Sequence, residues 1–289
     1  MMKIFQKGFN YSQDGSGNRL VYHLQGCNMK CPWCANPEGM EPDGVIMADS
    51  EWILEAVCPH GAIKGTHVDR DMCHTCKKKE CITEHNTKGM YLSYEEETPE
   101  EVFREACANE MMFYDGGGVT FTGGEATMQY KELKEVLHML KDHGIHTAIE
   151  TNGTHHRLPE LFALIDELII DCKHCSAGKH ERYTGVPCGG ILRNIREAAA
   201  RHPKLHVRVP LIGGVNDSPD DRKDFLTFFS EIKGDNVTFE VLAYHEFGRK
   251  KWEECGWEYK MTADAYVKDE VLKEFRGAVA DLGCHYKRT

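Results

Sequence analysis

Apolar residues fall into short runs separated by stretches of helical spacing, and the two alternate along most of the chain. Residues 19–25, RLVYHLQ, follow the turn Asp14-Gly15-Ser16-Gly17 and end at Gly26, which predicts a strand. Further strands are expected at 119–122, 147–149, 167–172, 205–212 and 237–242. Between them Leu133, Val136, Leu137 and Leu140 share one helical face, and a short helix is expected near 159–165. Thr98, with Pro99 at the first helical position and Glu101 three residues after the cap, reads as a helix start. Ser218-Pro219-Asp220-Asp221 reads as another, with Phe225, Phe228 and Phe229 on one face. A last helix is expected to bury Val267, Val271, Phe275, Ala278 and Leu282. Alternating strands and helices imply a parallel sheet, and the number of units suits a partial or full barrel. Pro210 weakens the strand reading around it.

Residues from about 41 to about 92 break the pattern, being rich in Cys, His, Lys and Gly, and 46–92 are read as an insertion. A chain of 289 residues with 41% hydrophobic content can bury one large core plus such a small module. The net charge of -11 and the lack of long Lys/Arg runs argue against a nucleic-acid partner. The first residues lack an apolar signal core, and no run reaches the roughly 18 apolar residues a membrane span requires, so a cytoplasmic protein is expected. Thirteen cysteines in a long chain with clustered spacings suggest metal rather than disulfides. Seven fall into two groups; Cys107, Cys172, Cys175, Cys188, Cys255 and Cys284 are scattered.

The first group, Cys27, Cys31 and Cys34, places three thiols within eight residues at the end of a strand. A 4Fe-4S cluster can take four cysteines, so three leave one iron open to an exogenous ligand such as an amino acid's amine and carboxylate. Zinc, with His23 as a fourth ligand, is the alternative, although Cys-x3-Cys-x2-Cys fits it poorly. Gly123-Gly124-Glu125 follows a predicted strand, where two glycines let backbone approach a ligand and Glu125 can receive an ammonium; a plain strand-to-helix turn is the bland reading. Glu150-Thr151-Asn152-Gly153 and Asp171-Cys172-Lys173 also end strands, so their polar groups are expected at the same mouth.

The three-cysteine spacing with Trp33 before the last thiol resembles the radical S-adenosylmethionine (SAM) superfamily. More narrowly it resembles the glycyl radical enzyme activating enzymes. GCNMKCPWCANPE, GGGVTFTGGEA, ETNG, DCKHCSAGKHERYTG, RVPLIGGVND and AYHEFGRKKW follow that family in order. The resemblance implies an α/β fold, a partial (β/α)6 barrel of TIM type spanning 1–289 and carrying a ferredoxin-like insertion. It implies a 4Fe-4S cluster on Cys27, Cys31 and Cys34, and SAM held by Trp33, Gly123, Gly124, Glu125, Glu150, Asn152, Asp171, Lys173, Arg208 and His245. Asp171, Lys173 and His180 belong to the motif associated with activating the partner. The implied reaction cleaves SAM reductively to methionine and a 5'-deoxyadenosyl radical, which takes hydrogen from a backbone glycine of a glycyl radical enzyme. A flavodoxin or ferredoxin is the expected electron donor, and the activator is expected to be an anaerobic monomer. A radical SAM enzyme acting on a small molecule or peptide is the alternative. Glu150 stands where Asp is frequent, Cys172 where an aliphatic is usual, Ala243 where Pro often precedes Tyr-His, and Ser16 where Pro is usual. Glu150 puts a monovalent-cation site in doubt.

The insertion resembles two degenerate copies of the ferredoxin pattern, in which the fourth cysteine of each copy serves the other cluster. Cys58 survives from the first copy, whose other slots are Ala48, Glu51 and Leu54; Cys73, Cys76 and Cys81 survive from the second, where His85-Asn86 replaces the closing cysteine. The survivors make one complete set, implying a second, auxiliary 4Fe-4S cluster on Cys58, Cys73, Cys76 and Cys81, with structural zinc as the alternative. The partner stays open among pyruvate formate-lyase, a diol or hydroxyproline dehydratase, a choline lyase and a decarboxylase, with the lone auxiliary cluster arguing mildly against the simple pyruvate formate-lyase activators.

Overall fold

The chain starts as a hairpin in which strand β1 (Met2–Tyr11) returns as β2 (Asn18–Leu24), with Tyr11 opposite Asn18. The structure, a computed structural model, describes residues 1–49, 53, 58–65, 67–83, 89–283 and 285–287. After the hairpin come β3 (Ile46–Ala48), β4 (Ile63–Lys64), β5 (His67–Val68), α1 (Arg70–Thr75), α2 (Glu80–Thr83), β6 (Met90–Leu92) and β7 (Glu95–Glu97). The regular alternation then begins with α3 (Pro99–Ala108), β8 (Gly118–Gly123), α4 (Tyr130–His143), β9 (Thr147–Thr151) and β10 (Glu167–Asp171). It continues through α5 (Ala177–Thr184), α6 (Gly189–Arg201), β11 (Leu205–Leu211), α7 (Pro219–Ile232), β12 (Val237–Ala243), α8 (Arg249–Glu254), α9 (Asp269–Ala280) and β13 (His285–Tyr286).

One nine-stranded sheet runs in the order β13-β12-β11-β10-β9-β8-β2-β1-β7. Every neighbouring pair from β2 to β13 is parallel, while β1 and β7 add an antiparallel margin. Among the described residues no pairing joins β7 to β13, so the barrel is partial. Leu133, Val136, Leu137 and Leu140 of α4 are all fully buried against it, as their spacing predicts. Phe229 of α7 packs on Phe239 of β12 with ring centroids 4.3 Å apart. The helix start at Thr98 carries both halves of the capping box.

Several expectations change. The segment near 159–165 is a 3-10 helix, Leu158–Leu164. Strand β11 passes through Pro210, which is its penultimate residue and pairs opposite Leu242, where one missing N–H is tolerated. In α9 the buried residues are Phe275 and Val279, one helical turn apart on one face, whereas Ala278 is turned aside and Val267 and Leu282 lie outside the helix. The periodicity gave no sign of β1, whose half from Gln6 to Phe9 is exposed, nor of α6.

At the base of the insertion β3 pairs antiparallel with β6, Ile46 opposite Leu92 and Ala48 opposite Met90. Above it Ile46, Ala48, Ile53, Ile63, Val68, Cys73, Cys81 and Met90 form a buried cluster of their own. Glu51, Leu54, His85, Asn86 and Cys284 lie outside the described residues.

Candidate active site

The loop that leaves β2 is pinned before it reaches its first thiol. Gly26 N donates to Gly39 O and Cys27 N to Met40 O, both at 2.9 Å, while Gln25 Nε2 donates to the carbonyls of Glu38 and Glu41 at 2.7 Å each. The returning chain thus fixes both ends of the Cys27–Cys34 turn. Cys31 is buried and Cys27 and Cys34 half-buried. Backbone amides point at two of the sulfurs, Met29 N to Cys27 Sγ and Asn36 N to Cys34 Sγ, each at 3.4 Å. Burial pushes the Cys27 thiol up to about 12 and the Cys34 thiol to about 11, and raises Cys31 as well. Such thiols stay protonated unless something displaces the proton, and a bound metal does so. Three thiols with amides donated to sulfur fit an iron-sulfur cluster.

Around them stand the strand ends. Lys173 Nζ pairs with Asp171, and although burial disfavours the ammonium, Asp171 and the thiols of Cys31 and Cys27 hold its pKa above the ordinary value. Asn152 Nδ2 donates to Asn28 Oδ1 at 2.9 Å and lies 3.9 Å from Cys27 Sγ. Trp33 faces Tyr183 with centroids 6.2 Å apart. His180 is buried, its Nδ1 3.0 Å from Thr184 Oγ1, and the Thr184 carbonyl accepts from Lys30 N at 2.9 Å. His180 therefore braces the thiol loop from beneath.

The Gly123-Gly124-Glu125 loop requires its glycines: Gly123 has φ +117, and a Cβ on Gly124 would meet the carbonyls of Gly26 and Gly39 at 2.4 Å. The Glu125 carboxylate, expected to receive an ammonium, is turned into the protein. Only 1% exposed, that carboxylate accepts from Thr127 N (3.0 Å), Thr127 Oγ1 (2.5 Å), Thr151 Oγ1 (2.6 Å) and Asn152 N (2.6 Å). Three donors meet Oε1 and one meets Oε2, so Glu125 ties β8's loop to β9's, and Gly123 and Gly124 are the half-exposed part.

Deeper in the barrel Arg208 joins Glu150 (2.6 Å) and Glu240 (2.8 Å), and Thr122 Oγ1 donates to Glu150 at 3.3 Å. Burial opposes the guanidinium's charge, but the two carboxylates raise its pKa overall. His206 lies 3.1 Å from Glu240, whose carboxyl is held low against burial by His206 and Arg208. The sheet register sets this cluster, with Arg208 directly opposite Glu240. His245 stands apart on the exposed loop beyond β12, stacked on Phe247 at 4.2 Å. Sequence reasoning missed Glu240, His206 and Trp252. His206 and Arg208 at alternate positions of an apolar strand were the available signal for the first two.

In the insertion Cys58, Cys73, Cys76 and Cys81 line one cavity together with Ile46, Ile63, Val68 and Met90. They are gathered around a space, and among the described residues no three Cys, His, Asp or Glu converge tightly enough for a single ion. His60 Nε2 lies 2.6 Å from Glu80 at the cavity's rim.

Residues 21–171 match the Radical SAM superfamily model. The chain is 31% identical to the 4-hydroxyphenylacetate decarboxylase activating enzyme of Clostridioides difficile, covering 93% of this chain and 90% of that one. It is 29% identical to the choline trimethylamine-lyase activating enzyme of Oleidesulfovibrio alaskensis, covering 92% and 91%. Its fold is also that of a radical SAM methyltransferase from Sphaerobacter thermophilus, with a TM-score of 0.55 and 11% identity over 96% of this chain and 67% of that one. The chain belongs to the radical SAM superfamily and, within it, to the glycyl radical enzyme activating enzymes.

Proposed function

We propose that this protein generates the glycyl radical of a partner enzyme from a site built on Cys27, Cys31 and Cys34. The observation that carries the proposal is the trio of sequestered thiols at the carboxyl ends of parallel strands, where barrel enzymes do their chemistry. A four-iron cluster held by Cys27, Cys31 and Cys34 would supply the electron that splits the sulfonium of SAM into methionine and a 5'-deoxyadenosyl radical. The chain's own residues bind and orient. The half-exposed glycines at 123 and 124 admit the amino acid end of SAM, Lys173 faces its carboxylate, and Asn152 fixes the Cys27 side of the mouth. Trp33 and His245 border the nucleoside, and the Arg208–Glu150–Glu240 cluster forms the dry polar floor beneath it. The open edge of the sheet admits a glycine-bearing loop of the partner.

Residues 46–92 act as an auxiliary module holding a second 4Fe-4S cluster on Cys58, Cys73, Cys76 and Cys81, supported by the cavity those thiols share. The activator works as a monomer in an anaerobic cytoplasm, reduced by a flavodoxin or ferredoxin; no helix among the described residues is long and apolar enough to cross a membrane. The partner to try first is a decarboxylase, then a choline lyase, following the names of the relatives. Anaerobically reconstituted protein with dithionite should cleave SAM, and with the partner present should yield an electron-spin signal on glycine. Intact SAM would sink the reading; cleavage without a glycyl signal from any candidate partner would favour a small molecule or peptide as substrate. Iron and zinc quantitation decides the metal of the insertion.

A further inference from the structure

The segment from Gly248 to Trp257 touches both thiol sites. At one end Trp252 Nε1 donates to Cys34 O at 2.9 Å, and Gly248 packs so tightly that a Cβ would sit 2.5 Å from the same carbonyl. Lys251 Nζ adds bonds to Asn36 Oδ1 (2.8 Å) and Glu38 Oε1 (2.5 Å), just beyond the third thiol. At the other end Arg70, at the start of α1, donates to Glu254 O at 2.5 Å and Ile46 O at 2.9 Å. His74, between Cys73 and Cys76, lies 3.3 Å from Cys255 O. Between these ends the rings follow one another: Trp252 to Trp257 at 6.0 Å and Trp257 to His74 at 6.5 Å, both within the range of direct aromatic contact. Cys255, fully buried with its sulfur 3.4 Å from Met47 Sδ, packs the segment onto the insertion's base.

We propose that Trp252, Trp257 and His74 form the electronic path between the two thiol sites. Electron tunnelling falls off steeply across gaps and is favoured along contiguous bonded and packed groups, and this chain is contiguous from the Cys34 carbonyl to the helix that carries Cys73. One electron leaves the insertion's reduced cluster, which is thereby oxidised by one unit, and enters the cluster held by Cys27, Cys31 and Cys34. No proton moves and no ring is itself reduced. A one-electron protein donor of the flavodoxin or ferredoxin class restores the insertion's cluster. The inference rests on the proposed auxiliary cluster, and its test separates the two.

The test compares wild type, Trp257→Leu and Trp257→Phe as anaerobic holoproteins, with iron counted first. Each is mixed with a reduced flavodoxin, and reduction of the SAM-site cluster is followed by freeze-quench electron spin resonance, SAM marking that cluster by its effect on the signal. Trp257→Leu should slow this reduction measurably while the insertion's cluster reduces at the wild-type rate, and Trp257→Phe, which keeps a ring in place, should restore most of it. An unchanged rate in Trp257→Leu, with about eight iron atoms per chain, overturns the path alone. About four iron atoms and a zinc ion in the wild type overturn the auxiliary cluster and the path with it.

Discussion

The two thiol sites of this molecule are anchored in different ways. The Cys27–Cys34 turn is held by Gly39 and Met40 of the returning chain and, from far along the sequence, by Thr184 and Trp252. The four insertion cysteines rest on a small cluster in which two of them, Cys73 and Cys81, are themselves core members. Metal binding is folding free energy wherever the apo site cannot hold itself together. On the proposed metal binding, the insertion is expected to depend on its metal for folding more than the barrel site does.

The largest effect should come from Cys31→Ala, which removes the barrel-site iron and abolishes SAM cleavage but leaves the barrel folded by circular dichroism; collapse of the fold would break the contrast. Cys76→Ala should cost the insertion its metal and open residues 46–92 to protease, with the melting transition of the barrel retained. An insertion that stays protease-resistant without metal would show that its small core suffices.

Smaller effects sharpen the picture on the barrel side. Glu125→Gln puts an amide where four donors converge and should destabilise by about 3 kcal/mol, lowering the melting temperature roughly 5–10 °C. An unshifted melt would mean that Glu125 does not tie β8's loop to β9's. At the opposite end of the sheet Glu167 is buried, which by itself raises its pKa, yet Lys204 at 2.8 Å and Ser16 bring it down to about 2. Its carboxylate stabilises the folded state above its unfolded pKa of about 4.5, and that contribution, up to about 3 kcal/mol, is lost as pH falls toward 2. Glu167→Gln should flatten the fall of stability over this window, read from urea unfolding at several pH values.

How much of this was legible follows from the kind of contact involved. The sheet and α4 were readable because Leu133, Val136, Leu137 and Leu140 are driven by local periodicity. The GGE, ETNG and DCK motifs were placeable because Gly123, Thr151 and Asp171 each end a strand. The bracing of Glu125 was not, since its partners Thr151 and Asn152 lie at the end of the next strand and only the fold brings them close. Nor was Trp252, whose bond to Cys34 spans 218 positions of sequence. Strand β1 was hidden because its exposed half lacks the apolar alternation of its neighbours.

The turn between β1 and β2 has a kinetic side. Its carbonyls are claimed from far along the chain, Gln13 by Arg208 and Ser12 by Lys287, the latter at 2.8 Å. Because strand order in the parallel part of the sheet follows chain order, pairing can advance outward as the polypeptide leaves the ribosome, at roughly 5–20 residues per second. The Ser12–Lys287 latch waits for residue 287. Until it emerges the Ser12 carbonyl lacks that partner, so this early turn is completed only after the parallel strands before β13 have been made.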